Sequence, residues 1–447
     1  MKFFKGLAVI LCVAITSMFY FPFEFRAMPG MNTKKAMAAM ALVILFFRMI
    51  GNKKLTVNRD FILLSLLAGL VSFAGIVSVT LNNTTDYTYA TYIMSFWVWW
   101  GAAYTVCSVI RWIHGQLNWR LIAAYLTAVC VFQCIITLAM DSNPLVKQAI
   151  NSVVLQQDMV FMGNVHRLYG IGCALDVAGM RFAAVLAIIM YLLTDSRVTK
   201  QWYESLLYIL AFLIITVVGN MIARTTLVGV GVALLYLLYV SVRPSSSSQA
   251  KKNKVSAVWY WLVGIAFVSI PYFVYSYNND PRMHSHLRFA FEGFFNLVEK
   301  GDFNYTSNDR LREMYVWPDN AKTWIIGDGY FENPLETDVH YTGETTEGYY
   351  MSTDVGYVRF IFYFGVVGML LFSYLMLKVA QACAHQSDDM LWLFAMLLAL
   401  NFIVWFKVSS DLFLVFAPFL CLGYNDNVNL DENENENEDC LLDSCHM

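Results

Sequence analysis

Long apolar runs, separated by short polar turns, follow one another through most of this 447-residue chain. A helix needs about 20 apolar residues to cross about 30 Å of hydrocarbon. By that rule the pattern predicts an all-α, polytopic integral membrane protein with about twelve transmembrane helices. The predicted spans lie near residues 5–23, 33–50, 60–80, 90–110, 121–140, 175–194, 203–220, 226–242, 256–277, 354–377, 389–407 and 411–424. We interpret the first run as an uncleaved span rather than a signal peptide, because no convincing cleavage site follows it.

Basic residues in the short loops predict the orientation of these spans, since cytoplasmic loops carry an excess of Lys and Arg. Four alternate loops are basic, which places both termini in the cytoplasm. The loop at 81–89, on the opposite side, has no Lys or Arg. One loop, 24–35, disagrees because it carries basic residues on the predicted outer side. The basic loop residues are Lys53, Lys54, Arg59, Arg111, Arg120, Arg197, Lys200, Arg243, Lys251, Lys252 and Lys254, with Arg26, Lys34 and Lys35 as the exception.

Two polar segments on the predicted outer side are too long to be simple connectors, and long loops tend to be functional. They span residues 141–174 and 278–353. Within 278–352 there are 13 Asp and Glu against 6 Lys and Arg. We therefore expect residues 1–424 to form one transmembrane domain with a medium and a large periplasmic loop. Residues 425–447 have the acidic, core-free composition of a disordered cytoplasmic tail.

Local patterns predict helices inside these outer loops. Residues 141–163 and Met283 to Lys300 have the spacing of amphipathic helices lying at the membrane interface. Thr306-Ser307-Asn308-Asp309 has the form of a capping box, so a further helix should begin there and carry Arg310 and Arg312. Pro318 should end or kink it.

Composition supports the membrane class and narrows the chemistry. The chain is 58% hydrophobic and 14% charged, against about 25% charged residues in soluble domains. Nine cysteines lie mostly in apolar runs, which indicates packing rather than a disulfide framework or a metal site. His284 and His286 could bind a metal, but two ligands without a third are a weak signal. We expect no cofactor, no metal and no nucleic-acid partner.

Four arginines are the main candidates for chemistry: Arg167, Arg224, Arg310 and Arg312. Arg224 is the most informative, because it lies in the tight turn between two spans, where an ionisable group usually has a partner or a ligand. The guanidinium fork suits bidentate binding of phosphate. The alternatives are a snorkelling side chain for Arg224 and, for Arg310 and Arg312, a solvated helix face paired with Asp309 or Glu313.

The candidate general bases are best sought where the large loop re-enters the membrane, which favours His340 and Asp354. Asp354 could equally be an N-cap of the following helix. Gly327-Asp328-Gly329 is a turn, and its glycine pair is too common to indicate nucleotide binding.

Several short motifs, together with the layout of spans and loops, resemble the bacterial O-antigen and capsule polysaccharide polymerases and the related O-antigen ligases. Arg167-Leu-Tyr-Gly170 with Gly179 resembles their Arg-to-Gly motif, with one residue more than the usual spacing. Ala223-Arg224-Thr225-Thr226-Leu227 resembles their arginine hairpin. Arg310-Leu-Arg-Glu followed by Gly327-Asp328-Gly329 resembles the large-loop element, and Asp354-Val-Gly-Tyr357 the re-entry signature. Ligases usually carry His-Asn where this chain has Thr353-Asp354, which favours a polymerase.

The resemblance implies a glycosyltransferase of the bacterial inner membrane that polymerises undecaprenyl-diphosphate-linked oligosaccharide repeat units at the periplasmic face. An O-antigen ligase and a flippase or transporter are the alternatives. A chain-length regulator is an implied partner, beside the lipid-linked substrate and the bilayer. The implied catalytic residues are Arg224, Arg310, Arg312, Asp354 and His340; the implied substrate-binding residues are Arg167, Gly170, Gly179, Gly327, Asp328, Gly329 and Tyr357. We expect the four arginines to converge on one lipid diphosphate.

Overall fold

The computed structural model describes residues 2–52, 58–155, 167–195, 202–242, 249–334, 348–386 and 390–423. Within these ranges the fold is all-α, apart from a two-stranded antiparallel ribbon. His340 and the acidic tail, residues 425–447, lie outside the described residues. The helices are α1 (Lys2–Tyr20), α2 (Thr33–Asn52), α3 (Arg59–Asn82), α4 (Tyr92–His114), α5 (Trp119–Ser142), α6 (Pro144–Val153), α7 (Leu175–Thr194), α8 (Trp202–Ile222), α9 (Thr226–Val242), α10 (Gln249–Asn279), α11 (Pro281–Ala290), α12 (Glu292–Lys300), α13 (Thr306–Glu313), α14 (Ala321–Ile325), α15 (Gly356–His385), α16 (Leu391–Val404) and α17 (Phe413–Leu420). Short 3₁₀ turns cover Tyr350–Ser352 and Cys421–Gly423, and the strands are β1 (Glu24–Phe25) and β2 (Val154–Leu155).

Seven of the described helices are long and apolar enough to cross a membrane, by length and composition. They are α3, α4, α5, α7, α8, α15 and the part of α10 from Val255 to Asn279. The chain is therefore a multi-pass membrane protein by this criterion. The apolar helices at the other predicted positions include four shorter ones: Gly6–Tyr20 within α1, α9, α16 and a segment from Phe413 to Gly423. The predicted total of twelve spans stays a prediction.

Helix α7 lies at the centre of the bundle, and 94% of its most apolar 18-residue window is buried. Small residues make this possible, because they let helix backbones approach closely where lipid provides no hydrophobic driving force. One such close approach to α7 is at Gly229 of α9. A Cβ added there would lie 2.2 Å from the Ala183 Cα of α7.

The polar connections meet at one end of the bundle, which we call the loop face. It carries the ribbon joining residues 24–25 to 154–155, the segments 83–91, 223–225 and 405–412, and the described parts of both long loops. Side-chain to backbone hydrogen bonds join these pieces: Arg282 to Asp141, Thr84 to Gly329, and Tyr315 to Phe406. The basic loop that broke the charge rule lies on this face too.

The helices predicted in the large loop form with two corrections. The single amphipathic helix from Met283 to Lys300 is instead two helices, α11 and α12, broken at Phe291. Helix α13 begins at Thr306 as predicted, but the local capping box does not form. The Glu292 carboxylate accepts from the Thr306 hydroxyl (2.5 Å) and backbone N–H (3.3 Å) instead. A cap from a distant residue fixes α13 against α12.

Helix α15 breaks at Phe364 and Gly365, and the Gly327-Asp328-Gly329 turn docks into the break. Gly365 has φ 68°, a conformation that glycine adopts without strain. The Phe362 carbonyl accepts from Asp328 N at 2.6 Å and the Tyr363 carbonyl from Gly329 N at 3.1 Å. Gly327 must lack a Cβ, which would lie 2.5 Å from the Tyr363 carbonyl. The turn thus satisfies carbonyls that the break leaves without helical partners.

Replacing Gly229 with Ala should destabilise the bundle by about 1–3 kcal/mol, because the methyl group must force α7 and α9 apart. Gly231→Ala is the matched control two residues along the same helix, where an added Cβ meets no atom within 4 Å. Alanine's higher helix propensity should make that control neutral or slightly stabilising. Thermal unfolding of the purified variants in detergent measures both, and equal melting temperatures would contradict the close approach.

Candidate functional site

The hairpin that carries Arg224 is held directly against α7. Only residues 223–225 separate α8 from α9. Gly179 of α7 lies beneath them, and a Cβ there would come within 2.8 Å of Ala223 Cβ and 3.1 Å of Thr225 Cβ. The absence of a side chain at Gly179 therefore sets the position of Arg224.

Arg224 ties this hairpin to the large loop. Its Nε donates to the Phe289 carbonyl at 2.9 Å, and its Nη1 to the Ser307 hydroxyl at 3.2 Å. Its Nη2 lies 2.6 Å from the Glu292 carboxylate. Burial lowers the pKa of Arg224 and the nearby Arg167 adds to this, whereas Glu292 opposes it. The guanidinium is a charged group held in place by three elements of the large loop.

Arg167 and Arg224 converge on the same aromatic ring. The Arg167 Cζ lies 5.0 Å from the Phe289 ring centroid and the Arg224 Cζ lies 4.2 Å from it. The Arg167 Nε is buried and has no hydrogen-bond partner among the described residues. Two neighbouring cations, one with an unused buried donor, form a place where an oxyanion would be favoured.

A second group of charges adjoins the arginine hairpin through Thr225. The Asp176 carboxylate at the start of α7 accepts from the Thr225 hydroxyl and lies 2.7 Å from the Lys407 Nζ. Lys407 also lies 3.2 Å from the Thr225 hydroxyl. Residues far apart in sequence, on α7, the hairpin and the segment after α16, thus share one hydrogen-bond network.

Asp354 lies near this network, two residues before the start of α15 at Gly356. Gly356 brings it there, because a Cβ on Gly356 would meet the Val408 carbonyl at 2.6 Å and the Trp405 carbonyl at 2.8 Å. The nearest cation is Arg359, 3.9 Å away. Burial raises the pKa of Asp354 to about 7, although Arg359 and Lys407 oppose the rise. Its Oδ1 has no hydrogen-bond partner among the described residues.

The other predicted arginines, Arg310 and Arg312, lie on α13 with exposed side chains. This helix lies between the two charged groups: Ser307 near its start contacts Arg224, and the Met314 carbonyl at its end accepts from Thr353 at 2.6 Å. Arg310 is one helical turn from Ser307 and so faces the same side. The structure brings Arg167 and Arg224 together and places the helix of Arg310 and Arg312 against them.

The predicted glycines and Tyr357 have interior contacts. Gly170 packs on Gln133 and Thr137, Gly179 supports the hairpin, and Gly327 and Gly329 dock in the break of α15. Asp328 accepts from the Thr323 hydroxyl at 2.6 Å and from the Tyr350 hydroxyl at 3.2 Å. The Tyr357 hydroxyl donates to the Phe402 carbonyl at 3.0 Å. These contacts position the backbone around the charged groups.

Sequence reasoning missed Lys407, Arg359 and Glu292 and did not single out Asp176 for a role. A signal existed for two of them, because Lys407 and Arg359 are ionisable residues within predicted apolar spans, where charges are costly and usually functional. Arg359 donates to the Ser409 hydroxyl at 2.8 Å and the Phe331 carbonyl at 2.7 Å. For Glu292 no local pattern indicates that it caps a helix 14 residues away.

Chemically, the site combines cations that can hold an oxyanion with a carboxylate poised to gain or lose a proton near neutral pH. We call the set of Arg167, Arg224, Asp176, Lys407 and Asp354 the charged site. Among the described residues, no group of three or more His, Cys, Asp or Glu side chains is placed to hold a metal ion.

No family model, curated protein or solved structure matches this chain.

The raised pKa of Asp354 makes the protein's stability depend on pH. The folded protein binds a proton on Asp354 more tightly than the unfolded chain does, and this stabilises the fold. The stabilisation is fully present below the pKa that Asp354 has in the unfolded chain. It is lost as pH rises through about 7, because folding must then bury a charged carboxylate. Between pH 6 and 8 the loss should be about 1 kcal/mol. Asp354→Asn should remove it. Melting temperatures of both proteins across this range measure the effect, and parallel curves would contradict the buried carboxylate.

Lys407→Met should cost about 2 kcal/mol, because it leaves the Asp176 carboxylate half-buried without its cation. The double variant Asp176→Asn with Lys407→Met should recover much of that loss, since no uncompensated charge remains. Denaturation of the two single variants and the double variant completes the cycle. Additive losses would mean that the two side chains do not interact.

Proposed function

We propose that this chain is a membrane glycosyltransferase that extends a glycan carried on a polyprenyl diphosphate, joining oligosaccharide repeat units at the loop face. The observation that carries the proposal is the placement of two arginines, Arg167 and Arg224, and a half-buried carboxylate, Asp354, around Asp176 and Lys407 at one end of an apolar bundle. A lipid diphosphate matches this arrangement of an apolar bundle with a charged end. Its polyprenyl chain suits the bilayer and its charged head suits the loop face.

In this proposal the arginines hold the diphosphate of the donor. Glu292 occupies the Nη2 side of Arg224 in the free protein. A bound diphosphate would therefore share or replace that carboxylate as the partner of Arg224. Arg310 and Arg312 on α13 would add positive charge from the water side. Donors that stabilise charge as the glycosidic bond breaks are worth about 10²–10³-fold each in rate.

Asp354 is the proposed general base, because its pKa near 7 suits a group that takes a proton at neutral pH. The acceptor hydroxyl loses its proton to Asp354 as its oxygen bonds to the anomeric carbon of the donor. The bond from that carbon to the diphosphate oxygen breaks, and the lipid diphosphate leaves with the electron pair. Lys407 and Asp176 are positioning residues that hold the hairpin beside Asp354. His340 remains a second candidate for the base.

The wider setting is part of the same proposal: about twelve spans, termini in the cytoplasm, the loop face in the periplasm of a bacterial inner membrane, and a chain-length regulator as partner. The basic loops at residues 53–59, 111–120, 197–200 and 243–254 support this orientation. An O-antigen ligase would use the same donor chemistry on a lipid A core acceptor. A transporter or flippase would move the lipid without changing its glycan.

The test is reconstitution of the full chain in vesicles with an undecaprenyl-diphosphate-linked repeat unit. The wild type should lengthen the glycan and release undecaprenyl diphosphate. Arg224→Lys should lower kcat/KM about 10²-fold, because lysine keeps the charge but loses the fork and the contact to Ser307. Arg310→Lys should act in the same direction.

Arg288→Lys is the matched control, since Arg288 lies on the same loop in an exposed pair with Glu299. Normal polymer from Arg224→Lys would remove the diphosphate role. Transport of the lipid without lengthening would identify a transporter, and transfer that occurs only when a lipid A core acceptor is added would identify a ligase.

A further inference from the structure

A second set of charged side chains lies beside the charged site and includes one arginine deeper in the bundle. Arg181 is on α7, five residues beyond Asp176 and so about 7.5 Å further along the helix. Lys34 is the second residue of α2, and Asp411 precedes α17. All three belong to predicted apolar spans or their ends, where an ionisable residue indicates a function.

Arg181 is unusual because it is a buried arginine whose Nε has no hydrogen-bond partner among the described residues. The residue is 6% exposed, and its Nε is a buried donor with no acceptor among the described residues. Its Cζ lies 5.5 Å from the Phe21 ring centroid and 6.0 Å from that of Trp99. Aromatic faces attract the cation but accept few of its five N–H groups.

Lys34 faces the same tryptophan. Its Nζ lies 4.3 Å from the Trp99 ring centroid. Arg181 and Lys34 therefore flank one ring, and each repels the other. Two cations close together in a poorly hydrated place favour an anion between them.

Asp411 is the counter-charge, but it does not pair directly with either cation. It interacts electrostatically with both Lys34 and Arg181. Among the described residues, no nitrogen of either cation lies within 4.0 Å of its carboxylate. Its Oδ1 accepts instead from Phe413 N at 2.9 Å. One carboxylate against two cations leaves a net charge of +1, and neither cation forms a direct ion pair with that carboxylate.

We propose that Arg181 and Lys34 form a second anion site, separate from the charged site, that takes a singly charged oxyanion group, phosphate or carboxylate, bridging the two cations beside Trp99. The proposal depends on these contacts alone and does not require the glycosyl transfer proposed above. Asp411 would then face a hydroxyl of the same ligand, because a carboxylate accepts hydrogen bonds and repels a second anion.

The test uses the purified full chain in detergent, unfolded thermally at constant ionic strength. Sodium phosphate, sodium glucuronate and undecaprenyl phosphate are titrated separately against chloride. At least one should raise Tm saturably, by on the order of 2 °C or more. If only undecaprenyl phosphate raises Tm, the ligand is a lipid headgroup. If inorganic phosphate also raises Tm, the site takes free phosphate as well. If glucuronate raises Tm, the ligand is a carboxylate.

Arg181→Met and Lys34→Gln should each abolish that rise, while Lys35→Gln, an exposed neighbour of Lys34, should keep it. Without any oxyanion, Arg181→Met should melt no lower than the wild type, because the substitution removes a buried charge that has no direct ion pair or side-chain hydrogen bond among the described residues. If Arg181→Met does not fold, Lys34→Gln decides alone.

Three results would overturn the site: no titrant raises Tm, the rise survives in both variants, or Arg181→Met melts well below the wild type in chloride and keeps the rise. The experiment measures no glycosyl transfer, so its result does not depend on the proposed enzymatic activity. The anion site can therefore be confirmed in a protein that transfers no glycan, or refuted in one that does.

Discussion

Backbone carbonyls that lose their helical partners inside an apolar bundle need other hydrogen-bond donors. At the break in α15 the large loop supplies these donors. The Phe362 and Tyr363 carbonyls accept from the Gly327-Asp328-Gly329 turn, and the Ser78 hydroxyl of α3 adds a third bond at 2.7 Å. Lipid could not satisfy them. The long polar loop is therefore fastened to the bundle by an obligatory set of hydrogen bonds, and the positions of α13 and Asp354 follow from that attachment.

Within the bundle, glycine and other small residues let neighbouring segments approach closely. Gly229 lets α9 lie on α7, Gly179 lets the Arg224 hairpin rest on the start of α7, and Gly356 lets α15 begin against the segment that carries Lys407. Each contact is between backbones or short side chains, so the distances tolerate little change. Together these three contacts bring Arg224, Asp176, Lys407 and Asp354 to one place.

The charged groups differ in how well they are compensated, and that difference assigns their roles. Asp176 and Lys407 pair directly, as expected for groups that hold a structure together. Arg224 is held in a fixed place by three partners in the large loop, which leaves it oriented for a ligand that shares or replaces Glu292. Arg167, Asp354 and Arg181 each keep a buried polar atom without a partner among the described residues. Unused hydrogen-bonding capacity in a poorly hydrated site costs free energy, so a ligand or a proton is the expected occupant.

The amino-acid sequence by itself determined the helical, membrane-embedded class, the approximate positions of the apolar helices, the start of α13 at Thr306 and the prominence of Arg224. These follow from local period, composition and turn length, which are properties of neighbouring residues. Only the tertiary structure decided that Asp176 pairs with Lys407 near Asp354, that Glu292 caps α13, and that the Gly-Asp-Gly turn fills the break of α15. Such contacts join residues that packing alone brings together, and no local pattern encodes which distant carboxylate a buried lysine will find.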